Sequence, residues 1–369
     1  MASHFRALQV EDIRHETADC VSISFSIPPE LRSAFQFRQG QNITIRSLVE
    51  GKEIRRSYSI CSSPLEDELR IAVKKVPGGL FSTYANDQLH KGAVLEVLPP
   101  TGKFYTELNA GQQKNYLAFA AGSGITPILS LIKTTLATEP RSHFTLVYGN
   151  RHRPSIIFKD QLESLKNRYM QRMALHHILS REKMDTPLNQ GRITPQKCGE
   201  LCGKLIDLPA MDEIFLCGPG EMIFTVKDWL EQQGTDPQKI HFELFNPVEK
   251  GADDLPGKRQ GRGEEGSEEE AALKGKTSKV TVKLDGISYD FDLPYDGEPI
   301  LDAALEQGAD LPFACKGGVC CTCRARLIEG KVEMEVNYAL EKDEMAAGFI
   351  LTCQSHPRTE RVIVDFDSK

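Results

Sequence analysis

Four cysteines carry the strongest chemical signal in this 369-residue chain: Cys315, Cys320, Cys323 and, after 29 intervening residues, Cys353. The spacing C-x4-C-x2-C with a distant fourth cysteine is the plant-type arrangement for a 2Fe-2S cluster, which needs four thiolates converging from one wrapped loop and a returning segment. In the loop, Gly317 and Gly318 let the backbone pass close to inorganic sulfide and aim N–H groups at it, which favours the reduced, more negative centre. The alternative is a zinc site or a set of reduced, buried thiols. Zinc ligand pairs usually sit two to four residues apart on both sides, whereas Cys353 has no close companion. Cys321, beside Cys320, is read as pointing away from the cluster rather than as a fifth ligand.

A one-electron centre needs a supply of electrons, and several short runs could bind one. Arg56-Ser57-Tyr58-Ser59 would place Arg56 and Tyr58 on one face of a strand. There the arginine could pair a pyrophosphate, Tyr58 could lie along a flavin ring, and Ser59 could donate near the flavin N5; taken alone, the run also fits a basic surface strand. Gly78-Gly79, followed by Ser82 and Thr83, could open a helix whose N–H groups hold phosphate, or be an ordinary capped helix start. The run from Ala120 to Pro127 contains Gly122, Gly124 and Thr126 but lacks the third glycine of the dinucleotide fingerprint, so a generic strand-to-helix turn stays open. Cys217, Gly218 and Pro219 close a further strand with small residues that leave space for a planar ring. Arg151 and the pair Ser180-Arg181 end two more strands. They suit the extra phosphate that distinguishes NADPH from NADH, with solvated loop charges as the other reading.

These runs need particular elements to position them. Up to residue 110, short alternating segments such as Val21, Ile23, Phe25 and Ile27, then 42–46 and 69–76, predict an antiparallel β-barrel. From 111 to 247, apolar strands alternate with helices: 116–120, 127–138, 144–148, 157–169, 173–179, 213–217, 221–233 and 240–245. That alternation predicts an α/β domain with a doubly wound parallel sheet, which binds nucleotides beyond the carboxyl ends of its strands. Residues 248–277, rich in glycine and charge, read as a mobile linker. From 278 to 369 the pattern predicts a hairpin at Asp285-Gly286, a helix over 299–307, and strands over 324–327 and 361–366.

The formal charge of -7 resides in the last of these regions, where 17 acidic residues face 10 basic ones from Ser278 onward. An acidic module beside a slightly basic remainder could dock through complementary fields, or the acids could merely solvate a small surface. No run approaches the roughly 20 apolar residues of a membrane span, and Met1 to Val10 lack a signal-peptide core, so a cytoplasmic protein is expected. Nucleic acid and membranes are not expected partners. The nine histidines form no helical metal pair and no catalytic triad with serine and an acid; His176 and His177 read as one core and one surface residue.

Together these motifs resemble the ferredoxin-NADP reductase superfamily with a carboxyl-terminal plant-type ferredoxin domain, over the whole chain except the linker. The stretches 315–324, 330–334, 337–340 and 348–354 are similar to reductase components of multicomponent oxygenases. The resemblance implies FAD in the barrel, NADPH in the parallel-sheet domain, a β-grasp fold for the ferredoxin domain, and electron delivery through the 2Fe-2S cluster to the oxygenase component of a multicomponent, di-iron monooxygenase. By the same resemblance Arg56, Tyr58 and Ser59 match the flavin motif, Gly79 and Ser82 its phosphate turn, and Gly122, Gly124 and Thr126 the nicotinamide-nucleotide loop. Cys217, Gly218 and Pro219 match the segment beside the nicotinamide, Ser180 and Arg181 the 2′-phosphate position, and Phe245 a terminal aromatic covering the flavin. Ser59 and Cys217 are thereby the expected catalytic pair. A reductase for a steroid or aromatic-ring hydroxylase, and a redox-sensing regulatory subunit, remain the other readings.

Overall fold

The computed structural model describes residues 4–245 and 275–368, and the chain divides into two compact units, one of them Phe5–Phe245. Residues 248–274 of the expected linker lie outside the described residues, and Thr277 already pairs with Pro294.

The Phe5–Phe245 unit opens with six antiparallel strands and one helix: β1 (Arg6–Thr17), β2 (Cys20–Ser26), β3 (Asn42–Val49), β4 (Lys52–Ser59), β5 (Leu69–Lys74), α1 (Leu80–Asp87) and β6 (Val94–Val97). The strands run in the order β4-β3-β6-β1-β2-β5, and the two ends of that order meet where Ile60 bridges Ile71, closing a barrel. Alternation explains its interior: Val21, Ile23 and Phe25 of β2 pack with Leu8, Ile43, Ile45 and Val97. The opposite face of β2 is buried as well, since Cys20 belongs with Cys61 and Ala72 to the core of the neighbouring layer.

That layer comprises β7 (Asn115–Ala121), α2 (Ile125–Thr138), β8 (His143–Asn150), α3 (Lys159–Arg168), β9 (Met173–Leu179), α4 (Pro195–Cys202), β10 (Glu213–Gly218), α5 (Gly220–Gln232) and β11 (Ile240–Leu244). All five strands are parallel, in the order β11-β10-β7-β8-β9. Residues Tyr116 to Ala120 are each at most 1% exposed, the continuous apolar run of a strand covered on both faces. The order reverses between β7 and β10, and a crevice for a nucleotide forms at such a point. The helix α4 was not expected; Thr194 caps it by accepting from the Lys197 N–H, and Pro195 opens it. His176 and His177 are both half-buried rather than divided between core and surface. Burial lowers both imidazoles below their usual range, because neighbours that face both sides of the strand leave neither side chain fully hydrated.

The second unit contains β12 (Thr277–Leu284), β13 (Ile287–Pro294), α6 (Ile300–Glu306), β14 (Arg324–Glu329), β15 (Val332–Met334), α7 (Lys342–Ala346), β16 (Phe349–Leu351), β17 (Ser355–Pro357) and β18 (Arg361–Asp365). Its main sheet has the order β13-β12-β18-β14-β16, with β12 and β18 parallel. The helix α6 buries Ile300, Leu301, Ala303 and Ala304 in the same core, giving a β-grasp domain. Asp285 and Gly286 both have positive φ, the twist a two-residue hairpin turn needs. Among the described residues no helix is long and apolar enough to cross a membrane.

Candidate functional site

Barrel and parallel sheet meet at Ser59, the last residue of β4. Its side chain is buried, and Oγ donates to Glu243 Oε2 at 2.7 Å. Glu243 lies on β11 in register with Cys217 of β10, so three polar side chains from distant parts of the chain converge at the carboxyl edge of the sheet. Burial disfavours the carboxylate and raises Glu243 to about 7, against the opposing hydrogen bonds from Ser59 and Asn42. Burial, with the charge of Glu243 added, pushes the fully buried Cys217 thiol well up, so it is a small neutral group at working pH and not a thiolate. Sequence reasoning found Ser59 and Cys217 but missed Glu243. The available signal was a carboxylate inside an apolar strand, Ile240–Leu244, at its carboxyl end.

The raised Glu243 has a thermodynamic consequence. Between its ordinary value of 4.5 and about 7, the unfolded chain has released a proton that the folded chain keeps. The stabilisation from this group is complete below the lower value and is lost as pH rises through the upper one. Glu243→Gln is therefore expected to flatten the decline of the thermal midpoint across that window; an unchanged slope would show that Glu243 ionises normally in the fold.

Around Ser59 the barrel arranges the other residues expected to meet a flavin. Tyr58 is half-buried, its ring centroid 5.6 Å from that of Phe81, and burial raises its phenol. Arg56 is exposed, with Nη1 donating to the Arg55 carbonyl at 2.8 Å. At the turn before α1, Gly78 has φ +73, and a Cβ on Gly79 would lie 2.5 Å from Ser82 Oγ. Ser82 Oγ accepts from the Val76 N–H at 3.1 Å and donates to the Gly79 carbonyl at 3.2 Å. Its hydroxyl thus braces the turn.

The loops after β7 and β10 touch directly. A Cβ on Gly124 would come 2.1 Å from the Cys217 carbonyl oxygen, and one on Gly218 would come 3.1 Å from Ala121 Cβ. Gly122 has φ +54, and its carbonyl accepts from the Tyr148 hydroxyl at 2.9 Å. Thr126 is buried and donates to the Ser123 carbonyl at 3.1 Å, Pro219 precedes the first residue of α5, and Phe245 packs half-buried against the same core as Cys217. At the far side of the sheet the Ser180 N–H donates to the Asn150 carbonyl at 2.9 Å and the Arg181 N–H to the Arg151 carbonyl at 2.8 Å. These bonds bring Arg151, Ser180 and Arg181 to one edge, with both arginines exposed.

In the second unit Cys320, Cys323 and Cys353 are buried and Cys315 is half-buried. The Cys315 thiol lies within hydrogen-bonding reach of Cys320 and Cys353, and that of Cys323 within reach of Cys353. Cys321 Sγ donates instead to the Ala339 carbonyl at 3.3 Å. The bond to Cys315, then burial, holds Cys320 well above the usual thiol range. Among the described residues no three His, Cys, Asp or Glu side chains are set to hold a single metal ion. Four converging thiols without histidine or carboxylate partners suit an iron-sulfur cluster. All ten cysteines are free.

Comparison with known proteins agrees with this division. Residues 7–105 match the oxidoreductase FAD-binding domain, 119–228 the oxidoreductase NAD-binding domain, and 282–358 the 2Fe-2S iron-sulfur cluster binding domain. The chain is 46% identical to a 1,2-phenylacetyl-CoA epoxidase component of Escherichia coli K12, over 99% of this chain and 98% of that one. It is 34% identical to the ferredoxin reductase component of 3-ketosteroid-9-alpha-monooxygenase from Rhodococcus rhodochrous, over 97% and 96%. Phthalate dioxygenase reductase shares the fold with a TM-score of 0.56 at 24% identity, covering 98% of both chains. Three matched redox domains and near-complete coverage by such relatives establish that the chain belongs to the ferredoxin-NADP reductase superfamily, among the oxygenase reductases that carry FAD and a carboxyl-terminal 2Fe-2S domain.

Proposed function

We propose that this protein is the NADPH-dependent reductase of a phenylacetyl-CoA epoxidase complex, passing electrons through FAD and the 2Fe-2S cluster to a di-iron oxygenase in cytoplasmic phenylacetate breakdown. The observation that carries the acceptor is the 46% identity to the Escherichia coli 1,2-phenylacetyl-CoA epoxidase component, which extends through all three redox domains. Its domains are taken as 1–110 for flavin, 111–247 for nicotinamide nucleotide, 248–277 as linker and 278–369 for the cluster. Bound FAD supplies the exchange between a two-electron hydride and the single electrons that the cluster passes on.

The chain's own residues divide the work. In this reading Arg56 pairs the flavin pyrophosphate, the N–H groups beside Gly79 hold phosphate with Ser82 bracing their turn, and Tyr58 and Phe245 bound the flavin ring. Ser59, fixed by Glu243, offers its hydroxyl where hydride is transferred. Glu243, near 7, can hold or release a proton at Oε2 at working pH. Cys217, Gly218 and Pro219 leave room for the nicotinamide, while Gly122, Gly124 and Thr126 shape the loop beneath its phosphates. Cys315, Cys320, Cys323 and Cys353 ligate iron.

Arg151, Ser180 and Arg181 select NADPH by charge-assisted bonds to its 2′-phosphate. Arg181→Ala should raise KM for NADPH roughly tenfold or more while leaving KM for NADH within about twofold. Equal changes for both nucleotides would remove Arg181 from the phosphate site. The acceptor is tested by combining the protein with purified oxygenase components: NADPH-driven epoxidation of phenylacetyl-CoA is expected. Turnover only with a steroid oxygenase would favour the role named for the Rhodococcus relative instead.

A further inference from the structure

Cys353 is followed by a glutamine whose side chain does unusual duty. Gln354 is 7% exposed, and its Nε2 donates to the Lys316 carbonyl at 3.0 Å and to the Cys353 carbonyl at 2.8 Å. Cys353 Sγ stands 3.7 Å from the same nitrogen. An amide carries two hydrogens, so three acceptors crowd one donor group, and turning the amide over would set its oxygen against two carbonyls. The carbonyl it grips belongs to Lys316, a non-glycine residue with φ +50, in the loop between Cys315 and Cys320. A left-handed L-residue persists only where surrounding bonds hold it. Gly318, at φ +71, lies nearby: a Cβ there would come 2.9 Å from the Val336 carbonyl oxygen and 3.4 Å from Gln354 Cγ.

We infer that Gln354 is a positioning residue for the iron-sulfur centre, a clasp that ties the Cys315–Cys323 loop to the segment bearing Cys353 and shares one N–H between the carbonyl and the sulfur of Cys353. The inference rests on the proposal that the four cysteines ligate the cluster, and it adds a cause for both retention and potential. Without the clasp, the loop relaxes at Lys316 and the fourth ligand separates from the other three. Without the N–H, electron density on sulfur is less well stabilised and the reduced centre becomes less favourable.

The test uses the full-length reconstituted protein and two variants, Gln354→Leu, which keeps most of the volume, and Gln354→Glu, which keeps the shape but replaces the donor with a carboxylate. Iron release to ferrozine should be at least about tenfold faster in both. The cluster midpoint potential, read by EPR titration, should fall by about 59 mV, a tenfold change in a one-electron equilibrium. Flavin reduction by NADPH should keep its wild-type rate. Wild-type retention and potential in either variant would overturn the clasp, as would a parallel loss of flavin reduction, which would mean general damage. Should Gln354→Leu take up no cluster, Lys316→Gly is added to it, since glycine tolerates the left-handed backbone unaided. Restored uptake supports the clasp, and continued failure overturns it. A wild-type protein that itself retains no cluster would reject the ligand assignment instead, and with it the inference.

Discussion

Replacing Cys320 by serine is expected to lower electron delivery to the oxygenase by at least about 100-fold while flavin reduction by NADPH stays within about twofold of wild type. Cys320 is buried and its thiol bonds to that of Cys315, so a serine there substitutes a hard, poorly ionised oxygen for one of the four proposed soft ligands. The residues proposed to serve hydride transfer, Ser59, Cys217 and Glu243, all belong to the other compact unit, Phe5–Phe245, which has its own core. Loss of the cluster should therefore leave the first half of the reaction intact. The check is paired: steady-state oxygenase turnover and the rapid bleaching of flavin, measured on one preparation. Loss of both would show that flavin reduction depends on the cluster, contrary to the order of transfer proposed here.

The second large effect is expected at Gly124. A Cβ there would approach the Cys217 carbonyl oxygen to 2.1 Å, its carbon to 2.4 Å and the Gly218 nitrogen to 2.8 Å. All three obstacles are backbone, so no side chain can swing aside. Gly124→Ala must pry the ends of β7 and β10 apart at the point where the strand order reverses. Overpacking of this kind costs roughly 1–3 kcal/mol, and a displacement of about 1 Å at a reaction site can cost on the order of 100-fold in rate. Thermal midpoint and single-turnover flavin reduction by NADPH should both fall. Gly122→Ala provides the contrast, since its φ of +54 penalises alanine but the nearest atom its Cβ would meet is the Lys74 amine at 4.0 Å. The milder Gly122 effect, about 1 kcal/mol for a left-handed alanine, separates the need for conformation from the need for space. Equal effects of the two substitutions would show that the contact at Gly124 does not govern the site.

Much of the fold was legible because the governing patterns are local. The apolar run at 116–120 and the segment 173–179 mark parallel strands without any knowledge of their neighbours, and Asp285-Gly286 marks a hairpin by its own backbone preference. The barrel strand β4 was harder, because Arg55, paired with Glu53 of the same strand, and Ser59, bonded to Glu243 of β11, are both buried and blur its alternation. The elements β15, β16 and β17 have three residues each, too few for a period to emerge. Glu243 was missed for the same physical reason that makes it interesting. Its partner Ser59 lies 184 residues earlier in the chain, and its raised proton affinity exists only once barrel and sheet have packed. The cluster cysteines lie at the other extreme, since their ligand spacing is itself a local pattern. The grip of Gln354 on Lys316, by contrast, appears only when the loop has closed.

An ordered path from nucleotide to flavin to cluster is open to a single experiment, anaerobic stopped-flow mixing of the reconstituted protein with NADPH or NADH. Flavin and cluster bleaching are followed separately in the same reaction. NADPH is expected to reduce the flavin first and the cluster second, and NADH to do so much more slowly. A cluster that never bleaches, or that bleaches before the flavin, would contradict the path; equal rates for the two nucleotides would contradict the phosphate site at Arg181.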